Sequence, residues 1–196
     1  DVKNFPGARS LYGRFYYNYE AALLAGGVAR NEVYPASEEK VKLAFAKLAE
    51  IKPHVKVWWT AGAQPLQLLA TGEIALASAW SGRVLDAIRE KAPVAMTYKD
   101  AVAWGNAFVV PKGTPYKDLA MKVINEAISE EAQRRLLPIG TYGPVLTSAA
   151  AQATEEQAKL YVSHPSNIKD ACIFNDEEVA KYVTRYEDDW KKFQLA

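Results

Sequence analysis

The hydrophobic and polar positions of the first hundred residues follow two periods in turn. Short stretches rich in β-branched, aromatic and other apolar residues predict strands at 8–12, 55–59, 74–80 and 94–98. Between them, apolar residues recur at spacings of three and four, which predicts helices with one buried face. Strands that alternate with helices indicate an α/β fold with a largely parallel sheet. The mostly apolar stretch 74–79 also predicts a central strand, covered on both faces.

The pattern becomes almost entirely helical after residue 105. One more strand is predicted at 106–111, followed by helices at 117–128, 130–137, 154–162 and 176–193. The last of these helices carries a broad apolar stripe made by Val179, Tyr182, Val183, Tyr186, Trp190 and Phe193. Four helices with only one strand among them would be an unusual domain beside a compact α/β one. We therefore expect part of the surface that they cover to lie outside this sequence.

Composition and charge exclude several classes of function. The chain has 196 residues, of which 49% are hydrophobic, so it can bury a substantial core. Lys and Arg number 24 and Asp and Glu 23, which gives a net charge of +1 with no long run of one sign. This balance disfavours a nucleic-acid partner. No apolar run approaches the roughly 20 residues of a membrane span, and no signal-peptide pattern opens the sequence.

The sequence offers little from which to build a catalytic or metal site. Cys172 is the only cysteine, and His54 and His164 are the only histidines. The nucleotide-binding motifs, the G-x-S-x-G motif of hydrolases and the H-E-x-x-H motif of zinc enzymes are all absent. We therefore predict no catalytic residue, no metal and no cofactor.

Aromatic side chains at the ends of predicted strands are the most informative chemistry. Trp59 ends one strand, Trp80 ends the next, and Trp104 lies where the last α/β strand passes into the following segment. In a parallel sheet the carboxyl ends of the strands form the edge at which ligands bind. Any one of these tryptophans also fits a core or rim position, but several at one edge favour a ligand-binding surface.

Further polar and aromatic residues are predicted to reach this edge. Arg14 follows the first strand, and its guanidinium suits a carboxylate or phosphate unless it is an ordinary surface charge. The segment 15–19 is so rich in aromatics that Tyr16 or Tyr17 is expected to point away from the core. Tyr142 stands between two glycines in a loop that a simple turn also explains.

Four segments in this order resemble the solute-binding proteins of bacterial ABC importers, of the spermidine/putrescine-binding type of extracellular solute-binding family 1. They are FPGARSLYGR, VWWTAGAQPLQLLATGEIALASAWSGR, AWGNAFVVPKGTP and IGTYGPV. The resemblance implies a type II periplasmic-binding-protein-like fold, in which a solute is held between two α/β lobes. It implies that residues 1–104 form the complete second lobe. Residues 105–196 would then hold a crossover strand and C-terminal helices of the first lobe, and the N-terminal part of that first lobe would precede Asp1.

The resemblance also implies a partner, a location and a ligand site. The partner would be the membrane permease of an ABC importer, and the location periplasmic or lipid-anchored outside the cytoplasm. Asn106 stands where polyamine binders carry an acid for an ammonium group, and Arg14 falls near the position of another such acid. A carboxylated or opine-like solute is therefore favoured over a polyamine, although a small polar solute of either kind remains open. The predicted ligand-binding residues are Arg14, Tyr17, Thr60, Gln64, Trp80, Ser81, Arg83, Trp104, Asn106 and Tyr142.

Two other functions remain open at this stage. An enzyme could be built on the same two-lobed fold, because fold does not determine function. A truncated interaction module without a ligand of its own is the other alternative. The lack of a nucleophile, a base and a metal set argues against the enzyme, and we expect a receptor without catalytic activity.

Overall fold

A parallel sheet forms the centre of the first half of the molecule. The computed structural model describes residues 2–196. The sheet has the order β2–β1–β3, and its strands are β1 (Arg9–Tyr12), β2 (Val55–Trp59) and β3 (Leu76–Ala77). Both neighbours run parallel to β1. The carboxyl ends of all three strands therefore lie at one edge.

Helices connect these strands, as the sequence predicts. They are α1 (Phe15–Ala25), α2 (Glu38–Ile51), α3 (Gln64–Ala70) and α4 (Ser81–Arg89), with short 3-10 helices at Arg30–Glu32 and Lys52–His54. Ser37 caps α2, because its side chain accepts a hydrogen bond from the Lys40 N–H at 3.2 Å.

The second half contains a two-stranded parallel sheet and more helices. The strands are β4 (Val102–Ala103) and β5 (Cys172–Ile173). The helices are α5 (Lys117–Ala127), α6 (Glu130–Arg135), α7 (Thr147–Ala150), α8 (Glu155–Ala158), α9 (Pro165–Ile168) and α10 (Asp176–Leu195). No helix within residues 2–196 is both long and apolar enough to cross a membrane.

The main core lies between α1, α2 and the C-terminal helix α10. Trp190 of α10 is only 2% exposed. Its ring centroid lies 5.7 Å from that of Phe15 and 5.0 Å from that of Trp58. A smaller cluster joins α4 to the later helices through Leu85, Leu137 and Tyr161. Helix α10 thus uses the predicted apolar stripe to cover the first half of the chain.

The α/β class with a largely parallel sheet is confirmed, but three details of the strand prediction are wrong. The strands predicted at 94–98 and 106–111 are absent. Phe108 and Val109 are 67% and 83% exposed, so that apolar stretch has no strand to pair with among the described residues. The stretch 74–80 is paired only at β3, which lies at the edge of its sheet because β1 is the central strand.

The division near residue 104 stays a prediction. Helix α10 packs against α1 and α2, and β5 pairs with β4, so the segment 105–196 has extensive contacts with the segment before it. The predicted helix 154–162 is reduced to the single turn α8. Its start is nevertheless well defined, because Thr154 and Gln157 form a reciprocal capping box.

Candidate functional site

Aromatic side chains stand at the carboxyl ends of all the strands in both sheets of the described chain. Tyr12 and Trp59 are the last residues of β1 and β2, and Trp80 follows β3 by three residues. Trp104 and Phe174 come directly after β4 and β5. Together with Tyr17 of α1, these six residues form a surface that we call the aromatic wall.

Ring contacts make the wall continuous. The centroid of Trp59 lies 5.3 Å from that of Trp80 and 4.6 Å from that of Tyr12. Tyr12 lies 5.7 Å from Tyr17. Tyr17 stacks on Trp104 with 4.8 Å between centroids, and its ring is also 4.8 Å from Phe174. Tyr17 therefore joins the ends of the two sheets.

The members of the wall differ in exposure. Trp59 is 1% exposed and acts as a core residue beneath Tyr12 and Trp80, with its indole N–H donating to Ser78 Oγ at 3.3 Å. Trp104 is 37% exposed, and the remaining members are half-buried. The indole of Trp80 lies against Gly62, where a Cβ would come within 2.5 Å of Trp80 Cε3. Glycine at position 62 is thus required for this placement of Trp80.

The turn between β1 and α1 is fixed by a buried amide. Asn18 is 4% exposed, and its Nδ2 donates to the carbonyl of Tyr12 at 2.6 Å and to that of Arg14 at 2.7 Å. The hydroxyls of Tyr12 and Tyr16 are 3.2 Å apart. Burial, with a smaller contribution from Tyr16, raises the pKa of Tyr12 to about 12. The Tyr12 phenol therefore stays protonated near neutral pH and can donate a hydrogen bond.

Arg14 supplies positive charge beside the wall. Its guanidinium forms an ion pair with Glu187 of α10 at 3.4 Å, and more than half of its side chain is exposed. Arg14 also lies close enough to Tyr12 to counteract slightly the rise in that residue's pKa. An exposed ion pair of this kind is weak, so the guanidinium can exchange its partner for another anion.

Other predicted residues border the wall. Thr60 follows Trp59, and its N–H donates to the side chain of Gln64 at 3.4 Å. Ser81 follows Trp80 and begins α4. The ring of Tyr142 lies over Gly82, where a Cβ would be 2.6 Å from Tyr142 Cζ, and Tyr142 is 48% exposed. These side chains place hydroxyl and amide groups at the same edge as the rings.

Two of the predicted residues, Arg83 and Asn106, neither belong to the wall nor are placed beside it by a contact. Arg83 lines an open groove of about 470 Å³ between α3 and α4, together with Gln67, Asp86 and Arg89. Asn106 is exposed in the irregular segment after Trp104. Within residues 2–196, no group of three or more His, Cys, Asp or Glu side chains could hold a metal ion.

Three members of the wall, Tyr12, Trp59 and Phe174, are missing from the predicted set of ligand-binding residues, although Trp59 was noted as an aromatic at a strand end. Tyr12 carried the same signal as Trp59, an aromatic at the end of a strand. Phe174 follows a strand of only two residues, which is too short to show an alternating pattern.

Comparisons with known proteins identify the family of the chain. Residues 1–163 match the family described as bacterial extracellular solute-binding protein. The chain is 36% identical over 179 residues to the gamma-aminobutyric acid-binding protein of Pseudomonas aeruginosa, covering 90% of this chain and 51% of that protein. The chain thus spans about half the length of this relative.

Solved structures give the same result. An ABC transporter substrate-binding protein from Bradyrhizobium japonicum USDA 110 is similar with a TM-score of 0.84 and 36% identity, covering 98% of this chain and 60% of that one. The binding protein MotA from A. tumefaciens B6, solved in complex with glucopine, is similar with a TM-score of 0.77 and 32% identity. That match covers 99% of this chain and 61% of that one.

Proposed function

The chain belongs to the family of bacterial extracellular solute-binding proteins, and on that premise we propose that it serves as the solute receptor of an ABC uptake system. It captures a small polar solute in a cleft between two lobes and delivers it unchanged to the permease. The observation that carries this proposal is the aromatic wall, a ring surface shared by the carboxyl ends of both parallel sheets. Such an edge is where open α/β sheets bind ligands.

The chemistry beside the wall favours a zwitterionic, amino-acid-like solute. The faces of Tyr17 and Trp104 attract an ammonium group or an aliphatic chain. The Arg14 guanidinium suits a carboxylate and repels a polycation. This combination is compatible with the ligands in the names of similar proteins, gamma-aminobutyric acid and glucopine, and it disfavours a polyamine.

The residues that border the wall complete the proposed contacts. Thr60, Gln64, Ser81 and Tyr142 offer hydroxyl and amide groups to the polar atoms of the solute. Asn106 remains a candidate because it follows Trp104 by two residues, whereas Arg83 is the weakest of the predicted set because it lines a separate groove.

Family membership also determines where the receptor works. Proteins of this family are extracellular, so the chain acts outside the cytoplasm. We place it more narrowly in the periplasm or on a lipid anchor. The fold's two-lobed relatives close around their ligand, and the closed form is the state that a permease would recognise.

Calorimetric titration of the protein at its full natural length tests the proposal. We expect gamma-aminobutyric acid or glucopine to bind and spermidine not to bind. Arg14→Ala should weaken the binding of the carboxylated solute about tenfold or more, the equivalent of one lost charge-assisted hydrogen bond. Glu187→Gln is the matched control, because it removes the ion-pair partner of Arg14, together with the exposed ion pair between Glu187 and Lys191, and should leave binding at least as strong.

Two results would contradict the proposal. Binding of spermidine alone would show that the assignment of Arg14 to a carboxylate is wrong. Binding of none of the three compounds, together with an unchanged melting temperature in each, would count against a receptor for this class of solute.

A further inference from the structure

Glu20 is a fully buried carboxyl group behind the aromatic wall. It lies in α1 with 0% exposure. One oxygen, Oε1, accepts hydrogen bonds from the phenol of Tyr34 at 2.5 Å and from the phenol of Tyr182 at 2.7 Å. The other, Oε2, accepts the backbone N–H of Tyr17 at 2.6 Å. Burying a carboxyl is costly, so these three donors are what make this position tolerable.

The backbone of Tyr17 needs the third of these bonds. Its φ and ψ are 68° and −38°, and both Tyr16 and Tyr17 have non-helical angles within α1. Positive φ is uncommon for a residue other than glycine, and it persists only where the surroundings hold it. The regular helix starts after Tyr17, so Glu20 stands at the third helical position. From there an acidic side chain reaches back to the N–H of the capping residue.

This backbone conformation decides where the Tyr17 ring lies. In a regular helical turn the side chains point back along the helix axis. At positive φ the ring of Tyr17 instead reaches Trp104 and Phe174, at 4.8 Å from each. The contact that joins the two sheet edges in one wall thus depends on a turn that Glu20 closes.

We infer that Glu20 is a positioning residue, which holds the Tyr17 backbone at its positive φ and thereby sets the shape of the aromatic wall. The consequence for ligand binding rests on the proposed function. Tyr182 lies in α10 and Tyr34 in the loop before α2, so Glu20 is itself oriented by two elements far from it in sequence. The C-terminal helix therefore contributes to the wall through the Tyr182–Glu20–Tyr17 series of hydrogen bonds.

The test compares substitutions at Glu20 with the loss of one phenol. Glu20→Met removes the acceptor for the Tyr17 N–H, whereas Tyr34→Phe removes one donor and leaves Tyr17 bonded. In Glu20→Met we expect amide hydrogen exchange at Tyr17 to accelerate about tenfold or more while Leu23 of the same helix keeps its protection. Binding of gamma-aminobutyric acid should weaken about tenfold. In Tyr34→Phe the melting temperature should fall while exchange at Tyr17 and the Kd change by less than about twofold.

Conservative variants separate positioning from a general loss of stability. Glu20→Gln keeps an oxygen that can accept the Tyr17 N–H, so protection at Tyr17 and binding should be largely restored relative to Glu20→Met. Glu20→Asp is one methylene shorter, so its carboxyl, held by the phenols of Tyr34 and Tyr182, cannot also reach back to the Tyr17 N–H. It should therefore expose Tyr17 to exchange, and it replaces Glu20→Met if that variant does not fold.

Several results would decide against the inference. If neither Glu20→Met nor Glu20→Asp changes exchange at Tyr17, Glu20 does not hold that turn. If exchange at Tyr17 accelerates in a Glu20 variant but its Kd for gamma-aminobutyric acid stays the same, ligand binding does not depend on the position of Tyr17. If the unaltered protein does not bind gamma-aminobutyric acid, that ligand assignment fails, while exchange at Tyr17 still decides whether Glu20 positions it.

Discussion

The indole of Trp104 lies on the phenol ring of Tyr17, with 4.8 Å between the ring centroids and 24° between the ring planes. Trp104 follows a strand of the small sheet, and Tyr17 stands in the helix that follows the central strand of the large sheet. This contact, with the one between Tyr17 and Phe174, makes one surface from two sheet edges. Since Trp104 is 37% exposed, it is also the member of the wall most open to a ligand.

Trp104→Ala should weaken ligand binding far more than it lowers stability. We expect the Kd for gamma-aminobutyric acid to rise about tenfold, because stacking and cation–π contacts contribute on the order of 1–2 kcal/mol. The free energy of unfolding should fall by less than about 1 kcal/mol, since the side chain is not part of the core. Calorimetry and urea unfolding measure the two effects.

Phe5→Ala is the matched control for Trp104→Ala. Phe5 is also an exposed aromatic, at 62% exposure, but it precedes β1 and so lies toward the opposite end of the strand. Phe5→Ala should therefore leave the Kd for gamma-aminobutyric acid unchanged. Equal losses of affinity in both variants would indicate a general effect of removing surface aromatics and would contradict a site at the carboxyl edge.

Gly62→Ala should displace Trp80 and weaken binding. The added Cβ would stand 2.5 Å from Trp80 Cε3, so the indole or the backbone must move. We expect a loss of affinity of about tenfold, with a loss of stability of about 1–3 kcal/mol from overpacking. Gly105→Ala is the stability control, because nothing lies within 4 Å of its Cβ position and its melting temperature should not change. If Gly62→Ala left both the affinity and the melting temperature unchanged, the indole was not displaced.

The sheet edge at which the candidate site lies could be predicted from the sequence better than the individual residues that form the site. Trp59, Trp80 and Trp104 share one signal, an aromatic at a strand end, yet Trp59 is a core residue and Trp104 is exposed. Exposure depends on which elements pack above each ring, and local periodicity does not contain that information. The strands predicted at 94–98 and 106–111 fail for the same reason, because a strand needs a neighbour to pair with.

The support behind the wall could not be predicted at all. Tyr182 is 162 residues away from Glu20 in sequence, and their hydrogen bond exists only because α10 folds back on α1. The positive φ of Tyr17 also has no local signature, since neither glycine nor asparagine occupies that position. By contrast, the capped start of α2 at Ser37 follows from local chemistry, because the cap is a hydrogen bond between residues three positions apart.

Glu20→Gln should change how stability depends on pH. Burial raises the folded-state pKa of Glu20 above its ordinary value of 4.5, despite the opposing hydrogen bonds from Tyr34 and Tyr182. As the pH rises past 4.5, the unfolded chain releases this proton while the folded protein still holds it. The free energy of unfolding of the unaltered protein must therefore fall relative to that of Glu20→Gln as the pH rises toward the folded pKa.

Urea unfolding between about pH 4.5 and pH 8 measures this difference in slope. The neighbouring phenols do not titrate in that range, because burial raises the pKa of Tyr34 and of Tyr182 above their usual value. Glu155→Gln makes the same substitution at an exposed carboxylate of α8 and should keep the original slope. Parallel profiles for the unaltered protein and Glu20→Gln would contradict the prediction.

Trp190→Ala should be among the most destabilising single substitutions in the chain. Trp190 of α10 is 2% exposed where this helix packs on α1 and α2. Its indole N–H donates to the Gly13 carbonyl at 3.0 Å. Truncating a buried tryptophan costs about 3–5 kcal/mol. Trp190→Phe keeps most of the packing but removes the donor to Gly13, so it should cost less than Trp190→Ala but more than about 1 kcal/mol. Leu195→Ala, at the 89% exposed end of the same helix, should cost less than about 0.5 kcal/mol.

The two Trp190 variants also separate packing from binding. Gly13 lies in the turn between Tyr12 and Arg14, so a weakened Trp190 bond loosens the turn that carries the guanidinium. We expect Trp190→Phe to raise the Kd for gamma-aminobutyric acid by a small factor, about threefold, whereas Leu195→Ala leaves it unchanged. If Trp190→Ala cost no more in unfolding free energy than Leu195→Ala, helix α10 would not be packed on the first half of the chain. In that case the route by which the C-terminal helix supports the aromatic wall would be lost as well.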